Sequence, residues 1–187
     1  KEITVGNGIR SVVRTSDGHT LLANAGMIWE LDGNDKVISS LEIGMGNYFR
    51  LLRLSKSGNY LFTGGVTTVK EADRSGKVIR EFNLEQVAPG VKKPYFMMQE
   101  ENGNYVVSTG YAASLIILNE DGELIRRIGG KANIKEVALN FFGAAEALPN
   151  GNILVANWSG HKPDDSKKGP QVVEFDKDGK LVWKWQD

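Results

Sequence analysis

Asn150-Gly-Asn-Ile-Leu-Val-Ala-Asn157 has three earlier counterparts, Asp17-Gly-His-Thr-Leu-Leu-Ala-Asn24, Ser57-Gly-Asn-Tyr-Leu-Phe62 and Asn102-Gly-Asn-Tyr-Val-Val107. Anchored on Gly18, Gly58, Gly103 and Gly151, the copies follow one another at steps of 40, 45 and 48 residues. That is the period of propeller blades. A second turn follows each first one: Asp32-Gly-Asn-Asp-Lys-Val37, Asp73-Arg-Ser-Gly-Lys-Val78, Asn119-Glu-Asp-Gly-Glu-Leu124 and Asp176-Lys-Asp-Gly-Lys-Leu181. Glycine in such links supplies the positive φ of a tight hairpin, and the Asp, Asn or Ser before it bonds the turn backbone. The β-branched and aromatic runs between the turns have strand length. Each module therefore reads as a four-stranded antiparallel meander, with no helix expected between copies. The chain is expected to be all-β, a β-propeller with blades at about 9–43, 48–82, 95–128 and 143–185. Residues 1–5 are expected to form a stray edge strand, and the first strand of the second blade is expected at 49–55.

Composition narrows the function classes. The 187 residues are 41% hydrophobic with a formal net charge of zero, which argues against generic binding to nucleic acid or to anionic membranes. The absence of cysteine removes disulfides, thiol catalysis and thiolate metal sites. No apolar run approaches a membrane span. The Asp176-Lys-Asp178-Gly179 turn lacks the remaining ligands of a calcium loop, so neither metal nor cofactor is expected. The chain opens at Lys1 without a signal-like segment and is expected to be a processed or trimmed product.

Asn150–Asn157 and Val172-Val-Glu-Phe-Asp-Lys-Asp-Gly-Lys-Leu-Val-Trp183 resemble the blade pattern of bacterial β-propellers of the PQQ-like, NHL-like and arylsulfotransferase-like group. The segment Asn157-Trp-Ser-Gly-His161 with Pro170-Gln-Val-Val-Glu-Phe175 also looks like secreted bacterial propellers. The resemblance covers nearly the whole chain and implies architecture and an extracytoplasmic location, periplasmic, surface-bound or secreted. The chain has no full quinone-binding set and no histidine arrangement of a sulfate transferase. Propellers commonly have about four to eight blades. The four modules are expected to belong to a ring of about six or seven, a closed four-bladed ring being the alternative. An incomplete ring would present apolar faces and self-associate.

Function should lie where the modules differ. Hairpin links are short and fall on one face of the disc. The long connections, residues 85–94, 129–142 and 157–170, fall on the other, where binding residues concentrate. Eight positions before each anchor glycine stand Arg10, Arg50, Tyr95 and Gly143, at the long-loop end of the innermost strands. Arginines there can hold a carboxylate or sulfate with two parallel bonds, or pair structurally with acidic side chains. Six positions after the anchor stand Asn24, Gly64, Thr109 and Asn157, where asparagine either meets a ligand or caps the strand end.

His19 occupies a turn position that is asparagine in the other modules. His161 lies in the longest loop beside Trp158 and is the weak catalytic candidate. Tyr48, Tyr95, Tyr111 and Trp158 can stack on sugars or flat ligands, while Phe49, Phe62, Phe82, Phe141, Phe142, Trp183 and Trp185 are assigned to core packing. The expected function is recognition of a small anionic or carbohydrate-like ligand, or of a protein partner, through Arg10, Arg50, Tyr95, Tyr111, Asn24, Asn157, Trp158 and His161. The alternative is a propeller lyase or transferase using His161 with Arg10 and Arg50.

Overall fold

The computed structural model describes residues 5–44, 48–91, 93–131 and 133–187. Among the described residues sixteen strands form four sheets of four, each an antiparallel meander in chain order. The first blade holds β1 (Ser11–Arg14), β2 (Thr20–Ala23), β3 (Met27–Leu31) and β4 (Val37–Glu42). The second holds β5 (Arg53–Leu54), β6 (Tyr60–Thr63), β7 (Thr68–Ala72) and β8 (Val78–Asn83). The third holds β9 (Phe96–Gln99), β10 (Tyr105–Ser108), β11 (Ser114–Leu118) and β12 (Leu124–Gly129). The fourth holds β13 (Phe142–Ala147), β14 (Ile153–Asn157), β15 (Val172–Phe175) and β16 (Leu181–Trp185). The architecture is a four-bladed β-propeller array, as the repeat requires. Of the stray strand expected at 1–5, residues 1–4 lie outside the described residues, and Val5 is in a bend.

Because successive side chains alternate across a strand, each blade offers one face to the blade before it and one to the blade after. Three buried clusters fill the resulting seams. Leu21, Ala23 and Ile28 meet Phe49, Leu52, Tyr60 and Phe62 between blades one and two. Leu61, Val69 and Phe82 meet Met97, Tyr105, Val107 and Ile116 between blades two and three. Phe96, Val106, Leu115 and Ile117 meet Phe142, Ile153, Val155, Val173 and Phe175 between blades three and four. None of these clusters joins the fourth sheet to the first. Strands β10 and β11, flanked on both sides, are buried throughout, whereas the outer β16 is largely exposed. Trp183 and Trp185, assigned above to the core, are 48% and 47% exposed, because no described element packs on that side of β16.

The hairpins follow the repeat closely. Gly18, Gly58, Gly76, Gly103, Gly122, Gly151 and Gly179 all have φ between 81° and 93°. In the remaining hairpin the left-handed residue is Asp35, at φ 66°, in the position of Gly76 rather than at Gly33. Two expectations are corrected. The strand expected at 49–55 shrinks to β5, because the Ser11 hydroxyl of blade one donates to the Leu52 carbonyl and accepts from the Leu52 amide, both at 3.1 Å. The backbone there is satisfied across the seam instead of along the sheet. The connections also contain helix: α1 (Leu84–Val87), capped by Asn83 accepting from the Glu85 amide, and a 3-10 turn over Pro163–Lys168.

Candidate functional site

The long connections build a cavity of about 540 Å³ on one face of the disc, with walls from blades two, three and four. Its aromatic wall is centred on Phe141. Tyr95, Tyr111 and Trp158 each meet that ring edge-on, with centroids 4.8, 4.8 and 5.6 Å away. The edge-to-face arrangement places the positive rim of one ring against the negative face of another. Trp158 in turn meets the His161 imidazole edge-on at 4.4 Å.

Local backbone chemistry sets these rings in place. Tyr111 sits in the tight link between β10 and β11, where the Ala113 amide donates to the Gly110 carbonyl and the Thr109 and Ser114 hydroxyls bond each other. That link leaves the Tyr111 ring 65% exposed at the rim. The Gly110 carbonyl also accepts from the Phe142 amide, which ties the link to β13. Phe141 is fixed from the other side, since its amide donates to Asn157 and its carbonyl accepts from the Trp158 amide.

Asn157 explains much of the geometry. Fully buried at the end of β14, it accepts from the Asn140 and Phe141 amides and donates to the Ala138 and Pro170 carbonyls. Its side chain thereby pins two long connections to each other behind the Phe141 and Trp158 wall of the cavity. Beyond it, the 3-10 turn is held by Asp165, which accepts from the Lys162 amide at 2.9 Å and pairs with Lys168 at 2.6 Å. The Lys168 ammonium and the Lys162 amide hold the Asp165 carboxyl below its ordinary pKa.

Two cations enter the cavity. The Arg50 guanidinium lies 5.7 Å from the centre of the Tyr95 ring. Lys93 reaches the wall from a left-handed backbone (φ 58°) immediately before Pro94, its amide donating to the Val66 carbonyl at 2.6 Å. A side chain other than glycine in that region is uncommon, and the residue before a proline usually prefers extended backbone. Neither Arg50 nor Lys93 has an ion pair among the described residues, and no acidic side chain lines the cavity. Among the described residues no cluster of His, Asp or Glu is arranged to hold a metal ion.

Of the residues singled out from the sequence, Arg50, Tyr95, Tyr111, Trp158 and His161 line one cavity. Three members of the column eight positions before the anchor, Arg50, Tyr95 and Gly143, meet there, and Gly143 leaves space where the others place side chains. Arg10, the fourth, turns to the neighbouring blade and donates to the Phe49 carbonyl at 2.7 Å. Asn24 is bound up in its own turn, accepting from the Gly26 and Met27 amides and donating to the Asn7 carbonyl. With Asn157, it caps a strand end instead of facing the cavity. Tyr48 is exposed but lies outside the lining. Sequence reading missed Lys93, Pro94 and Phe141 as lining residues; the run of two phenylalanines at 141–142 reads as core, and only one of them is fully buried.

No protein-family model matches the chain, and no curated protein does. Among solved structures it is similar to a protein of unknown function from Bacteroides caccae, 29% identical with a TM-score of 0.79, over 99% of this chain and 70% of that one. Virginiamycin B lyase from Staphylococcus aureus is 13% identical, with a TM-score of 0.68 over 96% of this chain and 56% of the lyase. The extracellular domain of BT4673 from B. thetaiotaomicron is 12% identical, with a TM-score of 0.61 over 97% of this chain and 25% of that one. The chain thus spans just over half the length of the lyase. These neighbours are β-propellers, and at such identities the lyase and the BT4673 domain share the fold alone with this chain.

Proposed function

We propose that the protein recognises a small ring-bearing anion, of the sugar-acid or sulfated-sugar class, in the cavity of the long-loop face. The observation that carries this reading is the pair Arg50 and Lys93, two cations at the wall of an aromatic cavity that, among the described residues, have no ion pair and meet no carboxylate. In a chain with no net charge, two such cations in a partly water-excluded site favour a ligand that brings the missing negative charge. The rims and faces of Tyr95, Tyr111 and Trp158 suit a flat or cyclic body. An extracytoplasmic location, with a blade pattern of the PQQ-like, NHL-like and arylsulfotransferase-like kind, belongs to the same reading. It is supported by the repeat motifs and by the BT4673 extracellular domain among the structural neighbours.

Calorimetric titration with a panel of sugar acids and sulfated sugars tests this. For a ligand that binds, Arg50→Ala should cost about 1.5–3 kcal/mol, the scale of a charge-assisted hydrogen bond, with unfolding unchanged. Unchanged affinity in that variant would remove the anion site. A second reading, a lyase or transferase, has one observation in its favour, the His161 imidazole on the cavity wall. It would use His161 and Arg50 without Arg10, whose guanidinium is engaged at Phe49. Turnover of any ligand found, lost in His161→Ala, distinguishes it from binding alone.

A further inference from the structure

The seams between blades carry a second repeated device, independent of the cavity. In register, Glu30, Glu71, Ile117 and Glu174 occupy one position on the third strand of each blade, opposite Leu21, Leu61, Val106 and Leu154. The residue after the anchor glycine supports the acid from within the blade. His19 Nδ1 lies 2.9 Å from Glu30, Asn59 donates to Glu71 at 2.8 Å, and Asn152 donates to Glu174 at 2.6 Å. Blade three has isoleucine instead of an acid at this position.

The following blade supplies the other half. Glu71 is 1% exposed and accepts from the Tyr105 hydroxyl of blade three at 2.5 Å. Glu30 accepts from Arg74 of blade two at 2.5 Å, and that guanidinium lies 4.6 Å over the Tyr60 ring. Tyr60 and Tyr105 are equivalent, each opening the second strand of its blade. Where the acid is replaced by Ile117, the residue opening the second strand of the next blade is Ile153, in the same buried cluster. Glu71 is met by the Tyr105 hydroxyl, Glu30 by the Arg74 guanidinium that lies over the Tyr60 ring, and isoleucine by isoleucine, so each seam is matched across the two blades that form it.

Glu174 carries the acid half of this match on the far side of blade four. It stands in an open groove with Leu148, Leu154, Val172, Trp183 and Trp185, and Asn152 is its one hydrogen-bond partner among the described residues. We infer that this groove is a seam face built for a further four-stranded blade of the same repeat, whose second strand opens with a tyrosine donating to Glu174. The continuity with the Glu71 seam identifies the occupant: the same strand position, the same asparagine support and an apolar surround recur.

The test appends a copy of residues 93–128, the blade that carries Tyr105, after Asp187. Trp29→Phe and Trp158→Phe leave Trp183 and Trp185 as the two reporters, since the chain has four tryptophans. Docking should shield both indoles from acrylamide. The copied Tyr105→Phe and Glu174→Gln should each lower the melting temperature of the extended protein, and the first should have no further effect once the second is present. Indoles as accessible as before, or two effects that simply add, would overturn the inference. So would shielding in the unextended chain that grows with concentration and sediments as a dimer, because a second copy would then be the occupant. A separate measurement applies if the extended protein does not fold. Glu174→Leu in the original chain should leave unfolding unchanged; loss of the blade would make Glu174 an internal strut and overturn the assignment.

Discussion

The two faces of the disc solve the same problem, joining antiparallel strands, in opposite ways. On the hairpin face every link is a copy: a side-chain oxygen bonds the turn amides, one residue is left-handed, and the next strand begins. On the long-loop face the long connections differ; one holds a one-turn helix and another a 3-10 turn. The copied face holds the seams, with the acids supported by its turn residues. The varied face holds the cavity. Repetition here serves packing, and departure from it gathers chemistry.

The largest test of that division is Glu71→Ala. Burial pushes the Glu71 carboxyl up, but bonds from Tyr105, Asn59 and Arg80 outweigh it and hold the pKa below its ordinary value. Burial and the same carboxylate push the Tyr105 hydroxyl well up. Removing the carboxylate leaves a buried hydroxyl without its acceptor, so urea unfolding should show a loss of about 3–5 kcal/mol. On the opposite face, Asn157→Ala should cost about 2–3 kcal/mol, because buried backbone groups at 138–141 and 170 lose their partner. That variant should also weaken ligand binding, which Glu71→Ala should not do in its folded form. Equal effects of both on binding would erase the distinction between the faces.

Within the copied face, Gly103→Val should destabilise by about 1–2 kcal/mol, since φ is 93° and a Cβ there would collide with the Glu120 carboxylate. The smallest effect is a pH dependence at His19. The hydrogen bond to Glu30 raises its pKa above 6.5, against the opposing effect of burial. The stabilisation is therefore complete below the unfolded value and is lost as pH rises through the folded one. Melting temperature followed from about pH 5.5 to 8.5 should decline through that window, and His19→Asn, which copies the other blades, should flatten the decline.

The blades were legible because their signal is local: glycine at a fixed offset, alternation, and turn residues. The column of Arg50, Tyr95 and Gly143 was legible for the same reason, being a fixed distance from the anchor. Arg10 shares that offset yet leaves the site, because the shortened β5 frees the Phe49 carbonyl beside it, while Arg50 finds the Tyr95 ring. Which partner an arginine meets is a property of the neighbouring blade and is not written in its own. Lys93 escaped notice because its direction depends on a left-handed backbone before proline, contrary to local preference. The acid seams escaped because they need register: His19 reads as a turn residue, and only pairing with β3 brings Glu30 to it.

Asn157 makes all four of its bonds to main-chain atoms. It therefore constrains the path of residues 138–141 and 170 without reading their side chains, apart from the proline ring's own demands. A library that randomises 141, 158 and 161 while keeping Asn157 would vary the wall of the cavity and leave the clamped backbone behind it unchanged. For an engineer the clamp is a socket: the rings of the cavity wall can be exchanged above it without renegotiating the blades below.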